Sequence, residues 1–352
     1  MTTTAPLWLS KSHSHQKYIQ SILQQRETIR SSIRSLHLRK RESPQEIPRK
    51  IFDYYSIAEG CHRRNGDKNR YVDVKPYDRT RVLVEDPVKG IQRYLNASWC
   101  LEQFGHKWWI AAQAPLPVTA HAFLSLICQP IRPPLPKSHQ PTGVRTVVQL
   151  TRLVEGGRRK AHGYFPSDVG QSLVHAPEAG YPGAALRVTL VESVDIDEAC
   201  CIKSTVSVSF ENHRENTITF QHLLYTAWPD QGVPELEDQK SLIAFIRLVD
   251  STNRQTASAD PDPPILVGCS AGIGRTGTFI AISSLLRAHG FLPKAASPST
   301  LSWSSPLGPL PAAFDEDLVG REVDSLREQR PGMVQQISQL DLIYTLLEAA
   351  FV

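Results

Sequence analysis

Apolar residues recur at helical spacing near the start of the chain, at strand-like spacing through its middle, and at helical spacing again towards its end. From about residue 15 to 38, Tyr18, Ile22, Ile29, Ile33 and Leu36 alternate with Arg26, Arg30 and Arg34, which predicts an amphipathic helix able to cap a domain. Segments 145–153, 185–194, 202–210 and 217–227 carry β-branched residues in partial alternation and predict strands. Helical patterns follow at 235–250, 274–289, 315–329 and 338–349, with one short apolar strand at 264–267. The pattern predicts an α/β fold, helices packed on a mixed sheet. Four stretches concentrate Pro, Ser, Gly or Ala and read as mobile surface insertions: 129–143, 167–183, 250–264 and 290–313. Pro130, Pro133, Pro134 and Pro136 also suit a polyproline ligand, although an exposed loop is the simpler account. Residues 1–50 therefore read as an N-terminal helix followed by a solvated basic linker through Arg39, Lys40, Arg41, Arg49 and Lys50, and 51–352 as one domain without internal repeats.

Composition narrows the class. In 352 residues, 41% hydrophobic and 21% charged content is that of a folded chain rather than a disordered one. A net charge of +4 does not call for nucleic acid, yet suits an anionic ligand. Cys61, Cys100, Cys128, Cys200, Cys201 and Cys269 form no C-x-x-C pair, so neither a disulfide nor a zinc framework is expected, and a reducing compartment is. No apolar run approaches the roughly 20 residues of a membrane span, and no apolar signal core opens the chain. The expectation is a cytoplasmic protein. The stretch before Glu27 has no acidic residue and carries Lys11 and Lys17, but it lacks arginine until Arg26, which weighs against a transit peptide. Asn96-Ala97-Ser98 fits the glycosylation pattern only by coincidence if there is no secretory signal.

The candidate chemistry lies in Val267-Gly268-Cys269-Ser270-Ala271-Gly272-Ile273-Gly274-Arg275-Thr276-Gly277, between the apolar strand and a helix. Successive N–H groups of such a loop curl around an anion, and the helix N-terminus adds about half a positive charge at the same point. Those donors favour a thiolate as they favour phosphate, so Cys269 is a candidate nucleophile. Arg275, six positions on, offers a planar fork for two phosphate oxygens. Gly272, Gly274 and Gly277 also satisfy G-x-G-x-x-G, the dinucleotide fingerprint. That reading needs a further strand ending in an acidic residue about 20 positions on, where this chain enters the Pro/Ser-rich stretch at Gly290. A buried structural thiol is the other reading of Cys269, and the glycine nest with Arg275 weighs against it.

The loop resembles the signature of the tyrosine-specific, cysteine-based protein tyrosine phosphatases, and six further motifs occur in that family's order. Asn69-Arg70-Tyr71-Val72-Asp73-Val74, with Pro76-Tyr77-Asp78 and Arg81-Val82, resembles the phosphotyrosine-recognition loop. Tyr94 to Ser98 resembles the strand after it, and Gln113 to Thr119 the Q-G-P-L-x-x-T segment. Glu155 to Pro166 is similar to the E-loop, Trp228-Pro229-Asp230 to the mobile acid loop, and Arg330 to Gln339 to the glutamine loop. The likeness covers about residues 50 to 352 and implies one catalytic domain with a highly twisted mixed sheet flanked by helices, the phosphate loop lying between a central strand and a helix.

By that resemblance Cys269 is the nucleophile, Asp230 the acid and then the base, and Arg275 the clamp on the phosphoryl oxygens. Gln335 and Gln339 would position the hydrolytic water, and Thr276 would support the departing thiolate. Ser270, Ala271, Gly272, Ile273 and Gly274 would supply the anion-binding loop. Tyr71 would set the pocket depth for phosphotyrosine, Asp73 would hold the substrate backbone, and Glu155 with Lys160 would steady Arg275 and the acid loop. The resemblance implies no metal and no cofactor, and phosphotyrosine proteins, kinases among them, as substrates of a monomer. Three positions depart from the family pattern: Gly268 stands where histidine precedes the nucleophile, Ala114 replaces a glycine, and Phe165 replaces a tryptophan. The first weakens the support of the thiolate and leaves open an alternative, a pseudophosphatase that binds phosphotyrosine as a scaffold. Phosphoinositide or phosphoserine substrates are a third reading, against which Tyr71 argues.

Overall fold

The computed structural model describes residues 13–39, 45–85, 92–134, 141–230, 232–256, 260–301 and 303–351, with isolated positions 6, 9 and 90. Lys11, Lys40, Arg41 and Pro136 lie outside the described residues. The main sheet has eight strands: β1 (Ala97–Leu101), β2 (Trp108–Gln113), β3 (Thr146–Gln149), β4 (Ser172–His175), β5 (Leu186–Ile196), β6 (Cys201–Phe210), β7 (His213–Tyr225) and β8 (Ile265–Cys269). Their spatial order is β1-β2-β8-β3-β7-β6-β5-β4. The central pairs β2/β8, β8/β3 and β3/β7 are parallel, while the flanking pairs are antiparallel. The fold is thus a mixed, twisted α/β sheet, as expected.

Both faces of the parallel block are covered, which explains its near-continuous apolar strands. Trp109, Ala111, Ile265 and Val267 face one core with Phe279, whereas Ile110, Ala112 and Leu266 face the other with Phe123. The longer helices are α1 (His13–Leu38), α2 (Ala120–Cys128), α3 (Leu236–Gln255), α4 (Gly274–Ala288), α5 (Leu318–Gln329) and α6 (Ile337–Ala350). Helix α4 is buried from Gly274 to Arg287 and packs against α5 and α6. No helix among the described residues is long and apolar enough to cross a membrane.

Three expectations are corrected. Helix α1 forms, but its buried face is not the predicted one: Tyr18 and Ile29 are exposed, whereas Arg26, Arg30 and Arg34 are buried. The cause is the opposing surface. Arg30 Nη2 donates to Asp324 Oδ1 and Glu328 Oε1 of α5 at 2.6 Å each, and Arg26 Nε reaches Asp324 at 3.0 Å. Second, the stretch 167–183 is not purely a surface loop, since it contributes the edge strand β4, paired to β5 with Leu173 opposite Val188. Third, the stretch 250–264 begins inside α3, and its Asp262 is a buried partner of Lys107.

Candidate active site

Strand β8 ends at Cys269 and α4 begins at Gly274, so the intervening turn lies over the N-terminus of a buried helix. Arg330 shapes this turn from behind. Its Nε donates to Gly272 O at 2.7 Å and its Nη2 to Ala271 O at 3.0 Å, while Nη2 also reaches Asn96 Oδ1 at 2.9 Å. In a trans peptide the next residue's N–H points away from the carbonyl. Pulling these two carbonyls towards Arg330 therefore turns the N–H groups of Gly272 and Ile273 the other way, and Gly272 N–H donates to Cys269 Sγ at 3.3 Å. Gly272 adopts φ +71°, and a Cβ there would fall 2.1 Å from Ala112 O, so both backbone conformation and space demand glycine.

Arg275 reaches across to two other loops. Nη1 donates to Leu150 O at 2.9 Å and Glu155 Oε1 at 2.8 Å, and Nη2 donates to Glu155 Oε2 at 2.9 Å and Pro229 O at 2.7 Å. Glu155 thereby takes the end of the guanidinium bidentately, Nη2 also reaches Asp230 O at 3.2 Å, and only the Nε–H is left without a partner among the described residues. Glu155 itself is fixed by Thr151 Oγ1 at 2.9 Å and Arg152 N at 3.0 Å.

Asp230 lies in the loop after β7 with its Oδ1 2.7 Å from Lys160 Nζ. That lysine, followed by smaller contributions from Glu155 and Arg275, holds the Asp230 carboxyl below the usual carboxylate range despite the opposing effect of burial. Gly156, at φ +52°, backs the same carboxylate: a Cβ there would lie 2.4 Å from Asp230 Oδ2.

Tyr71 is tied to the phosphate loop at both ends of its segment. Its hydroxyl is 2.8 Å from Ser270 Oγ, which donates to Lys160 O at 2.7 Å. Arg70 N donates to Gln113 Oε1 at 2.9 Å, and the Arg70 guanidinium holds Ala114 O and Pro115 O. Ala114 N in turn donates to Cys269 O at 3.0 Å and Ser270 O at 3.1 Å. One hydrogen-bonded chain thus fixes the tyrosine relative to the sulfur.

Thirteen of the fifteen residues singled out from sequence line a single cavity of about 240 Å³: Tyr71, Asp73, Glu155, Lys160, Asp230, Cys269, Ser270, Ala271, Ile273, Gly274, Arg275, Gln335 and Gln339. Gly272 and Thr276 do not line it; the Thr276 hydroxyl is buried with no hydrogen-bond partner among the described residues. Gln335 is exposed and Gln339 buried, with Gln339 Oε1 accepting from Gln336 N at 3.1 Å as part of the cap of α6. Val334, a β-branched residue at φ +54°, precedes Gln335 and donates its N–H to Ile273 O at 3.2 Å. Strain of this kind persists only where the surroundings impose it. Sequence reasoning missed Arg330's grip on the loop carbonyls, the fit of Gly156 against Asp230, and the strain at Val334. The double glycine Gly156-Gly157 was the one available signal.

A thiol at the mouth of a helix, met by the Gly272 N–H and sharing its cavity with an arginine and a carboxyl group, defines a thiol-centred oxyanion site. The chain belongs to the protein-tyrosine phosphatase family, whose family model matches residues 65–290, more than half of its length. Gln335 and Gln339 lie beyond the matched residues. The chain is 34% identical over 280 residues to human receptor-type tyrosine-protein phosphatase H, covering 78% of this chain and 20% of that protein. It is 29% identical over 314 residues to tyrosine-protein phosphatase 2 of Schizosaccharomyces pombe, covering 84% and 35% respectively. It is also 32% identical over 250 residues to human phosphatidylinositol phosphatase PTPRQ, covering 71% and 9%. The chain therefore spans about a third or less of each of these relatives.

Proposed function

We propose that residues 51–352 form an active protein tyrosine phosphatase domain that hydrolyses phosphotyrosine on proteins through a cysteinyl-phosphate. The observation that carries this is the sulfur of Cys269, held by the Gly272 N–H at a helix mouth with Arg275 and Asp230 on the same cavity. In the first step Cys269 Sγ attacks phosphorus, the phosphorus–oxygen bond to tyrosine breaks, and Asp230 gives its proton to the leaving phenoxide. The free carboxyl is held low by Lys160, but a phosphate dianion beside it disfavours the charged form, so substrate binding itself promotes the protonated acid. In the second step water attacks phosphorus while Asp230 accepts its proton, the sulfur–phosphorus bond breaks, and phosphate and thiolate are released. Throughout, Arg275 sets its positive charge against the equatorial oxygens, and Nη2 exchanges its backbone acceptors Pro229 O and Asp230 O for phosphate as the substrate enters. Gln335 and Gln339 orient the water, Thr276 steadies the thiolate, Tyr71 packs on the substrate ring and Asp73 holds its backbone. The same proposal takes the protein as a cytoplasmic monomer that acts on phosphotyrosine proteins, kinases among them, without metal or cofactor.

Phosphate release from phosphotyrosine peptides tests it. Cys269→Ser abolishes turnover, and Asp230→Ala lowers kcat by about 10²–10⁴-fold with little change in KM. Wild-type rates in Asp230→Ala would reject the acid assignment. Gly268 favours a second reading, a phosphotyrosine-binding scaffold, whose mark is stoichiometric capture of phosphopeptide without released phosphate. The name of the phosphatidylinositol phosphatase relative adds phosphoinositides to the comparison. The Tyr71 hydroxyl anchored on Ser270 supports a deep phosphotyrosine pocket instead, and equal rates on phosphotyrosine and phosphoserine peptides of one sequence would refute that depth.

A further inference from the structure

The segment that carries Glu155 and Lys160 also carries a histidine that the proposed chemistry does not use. His162 Nδ1 lies 3.0 Å from Arg70 Nη2. A guanidinium only donates, so the ring nitrogen is the acceptor and the proton of the neutral ring sits on Nε2. Arg70 is half-buried, and its other side-chain acceptors are backbone carbonyls: Ala114 O, at 3.2 Å from Nε and 3.1 Å from Nη2, and Pro115 O at 3.0 Å. The cation is thus held by two carbonyls and an imidazole, with no carboxylate among them.

The placement closes a ring of contacts. Tyr71 is joined through Ser270 Oγ to Lys160 O, and its neighbour Arg70 is joined directly to His162. Two consecutive residues of one loop are therefore held by one short segment of another. That segment is itself fixed, because Lys160 N and Ala161 N both donate to Leu153 O, at 2.9 Å and 3.2 Å, and Ala161 and Tyr164 are buried on either side of His162.

The tie holds in one protonation state only. A protonated ring carries N–H on both nitrogens, so Nδ1 no longer accepts, and its charge faces a guanidinium that cannot give up its own. Burial, followed by Arg70 from the facing loop and Arg159 from the same segment, holds the ring below the usual imidazole range. The charged groups acting on it are both cations. The ring is half-buried, so solvent protons reach it.

We propose that His162 is a positioning residue: in its neutral form it ties Arg70, and with it Tyr71, to the segment of Glu155 and Lys160, and its protonation releases the tie and weakens phosphotyrosine binding. The inference rests on the reading of the cavity as a phosphotyrosine site. The tie is complete above the ordinary 6.5 of histidine and is lost as pH falls below it.

Peptide affinity tests it in the Cys269→Ser protein, in which the nucleophile no longer titrates. The Kd of a phosphotyrosine peptide is measured from about pH 7.5 down to about 5.5, with and without His162→Gln, whose side-chain oxygen accepts throughout that range. The peptide phosphate and Asp230 titrate in both proteins, so the ratio of the two Kd values isolates residue 162. That ratio should rise about fivefold as pH falls, the size of a like-charge contact near a surface. A ratio that stays flat overturns the inference, since a merely structural role would change affinity equally at every pH. A second measurement needs no ligand: the His162 ring signal, one of twelve histidines and assigned by its loss in His162→Gln, should titrate below the ordinary 6.5 and rise towards it in Arg70→Met. A signal that Arg70→Met leaves in place also overturns the inference. Peptide that binds at no pH rejects the phosphotyrosine reading and this inference with it, whereas the expected ratio without turnover in the wild-type chain rejects the phosphatase reading alone.

Discussion

Two regions of the molecule use the same chemical pair, arginine with carboxylate, and differ in what surrounds it. At the seam between α1 and α5, the Arg30 side chain has no exposed surface and is closed in by Asp324 and Glu328. At the cavity, Arg275 is also gripped by a carboxylate, Glu155, but it keeps some exposure and its other acceptors are the backbone carbonyls of Leu150, Pro229 and Asp230. The seam pair has no exposed surface, although Arg30 Nη1 has no hydrogen-bond partner among the described residues, so its charges join α1 to the body. The site pair borders the open cavity, so its charge is available to a ligand. Burial, rather than residue type, separates a structural ion pair from one open to a ligand.

The largest expected effect breaks the seam. Arg30→Met leaves two buried carboxylates short of a partner, a loss of about 3–5 kcal/mol by analogy with broken buried pairs. Urea unfolding should show that loss, with phosphotyrosine-peptide turnover per folded molecule unchanged. A neutral substitution would mean that α1 does not fold as part of the body.

The next test uses α5's other face, where Glu322 is buried against Ser284 Oγ at 2.6 Å and the Gln103 N–H at 3.2 Å. Burial pushes its carboxyl up to about 8. A raised acid binds its proton in the folded state while the unfolded state has already released it. The associated stability is therefore complete below the ordinary 4.5 and is lost as pH rises towards about 8, with a limiting slope of about 1.4 kcal/mol per pH unit. Glu322→Gln should flatten the stability profile across that window. An unchanged slope would assign it to other groups.

Smaller effects separate the site from the seam. Glu155→Gln keeps an oxygen for Arg275 but removes the charge, and should lower kcat/KM by about tenfold to a hundredfold, or about 1.4–2.8 kcal/mol. Lys160→Met removes the main cause of the low Asp230 carboxyl. More of the acid then stays protonated at a given pH, so the basic limb of the rate profile should move to higher pH. A shift to lower pH would mean that Lys160 acts on another group.

How much of this was legible beforehand depended on whether the information was local. Strand β8, the turn after it and α4 are contiguous, so apolar run, glycines and helix could be read directly, and the ordered motifs brought in Tyr71, Glu155 and Asp230. The rest depended on distant partners. Nothing near Arg26, Arg30 and Arg34 announces Asp324 and Glu328, almost 300 residues away, so periodicity assigned those arginines to solvent. Arg330 lay inside a recognised motif, yet its grip on Ala271 and Gly272 is a tertiary contact with no sequence signal. Strand β4 was hidden for another reason: an edge strand with exposed Leu173 and Val174 lacks the half-buried alternation that marks a strand.

The smallest expected effect concerns the departure at Gly268. Gly268, Cys269 and Tyr164 border a cavity of about 20 Å³ behind Cys269, and the Tyr164 hydroxyl has no hydrogen-bond partner among the described residues. Burial raises the pKa of this phenol, so it remains neutral, a polar group desolvated without compensation. Removing such a group costs little and often helps, in contrast to removing Arg30 and stranding its partners. Tyr164→Phe should therefore leave stability unchanged or raise it by up to about 1 kcal/mol in urea unfolding. A Cβ at position 268 would fall 2.7 Å from Ala112 O, closer than real Cβ atoms approach, so Gly268→Ala should destabilise the same strand by forcing β2 aside. The opposite signs of two substitutions around one cavity make the test specific. If Tyr164→Phe destabilises by more than about 1 kcal/mol, the hydroxyl has a partner, and the space beside Gly268 is part of the support of Cys269 rather than a gap behind it.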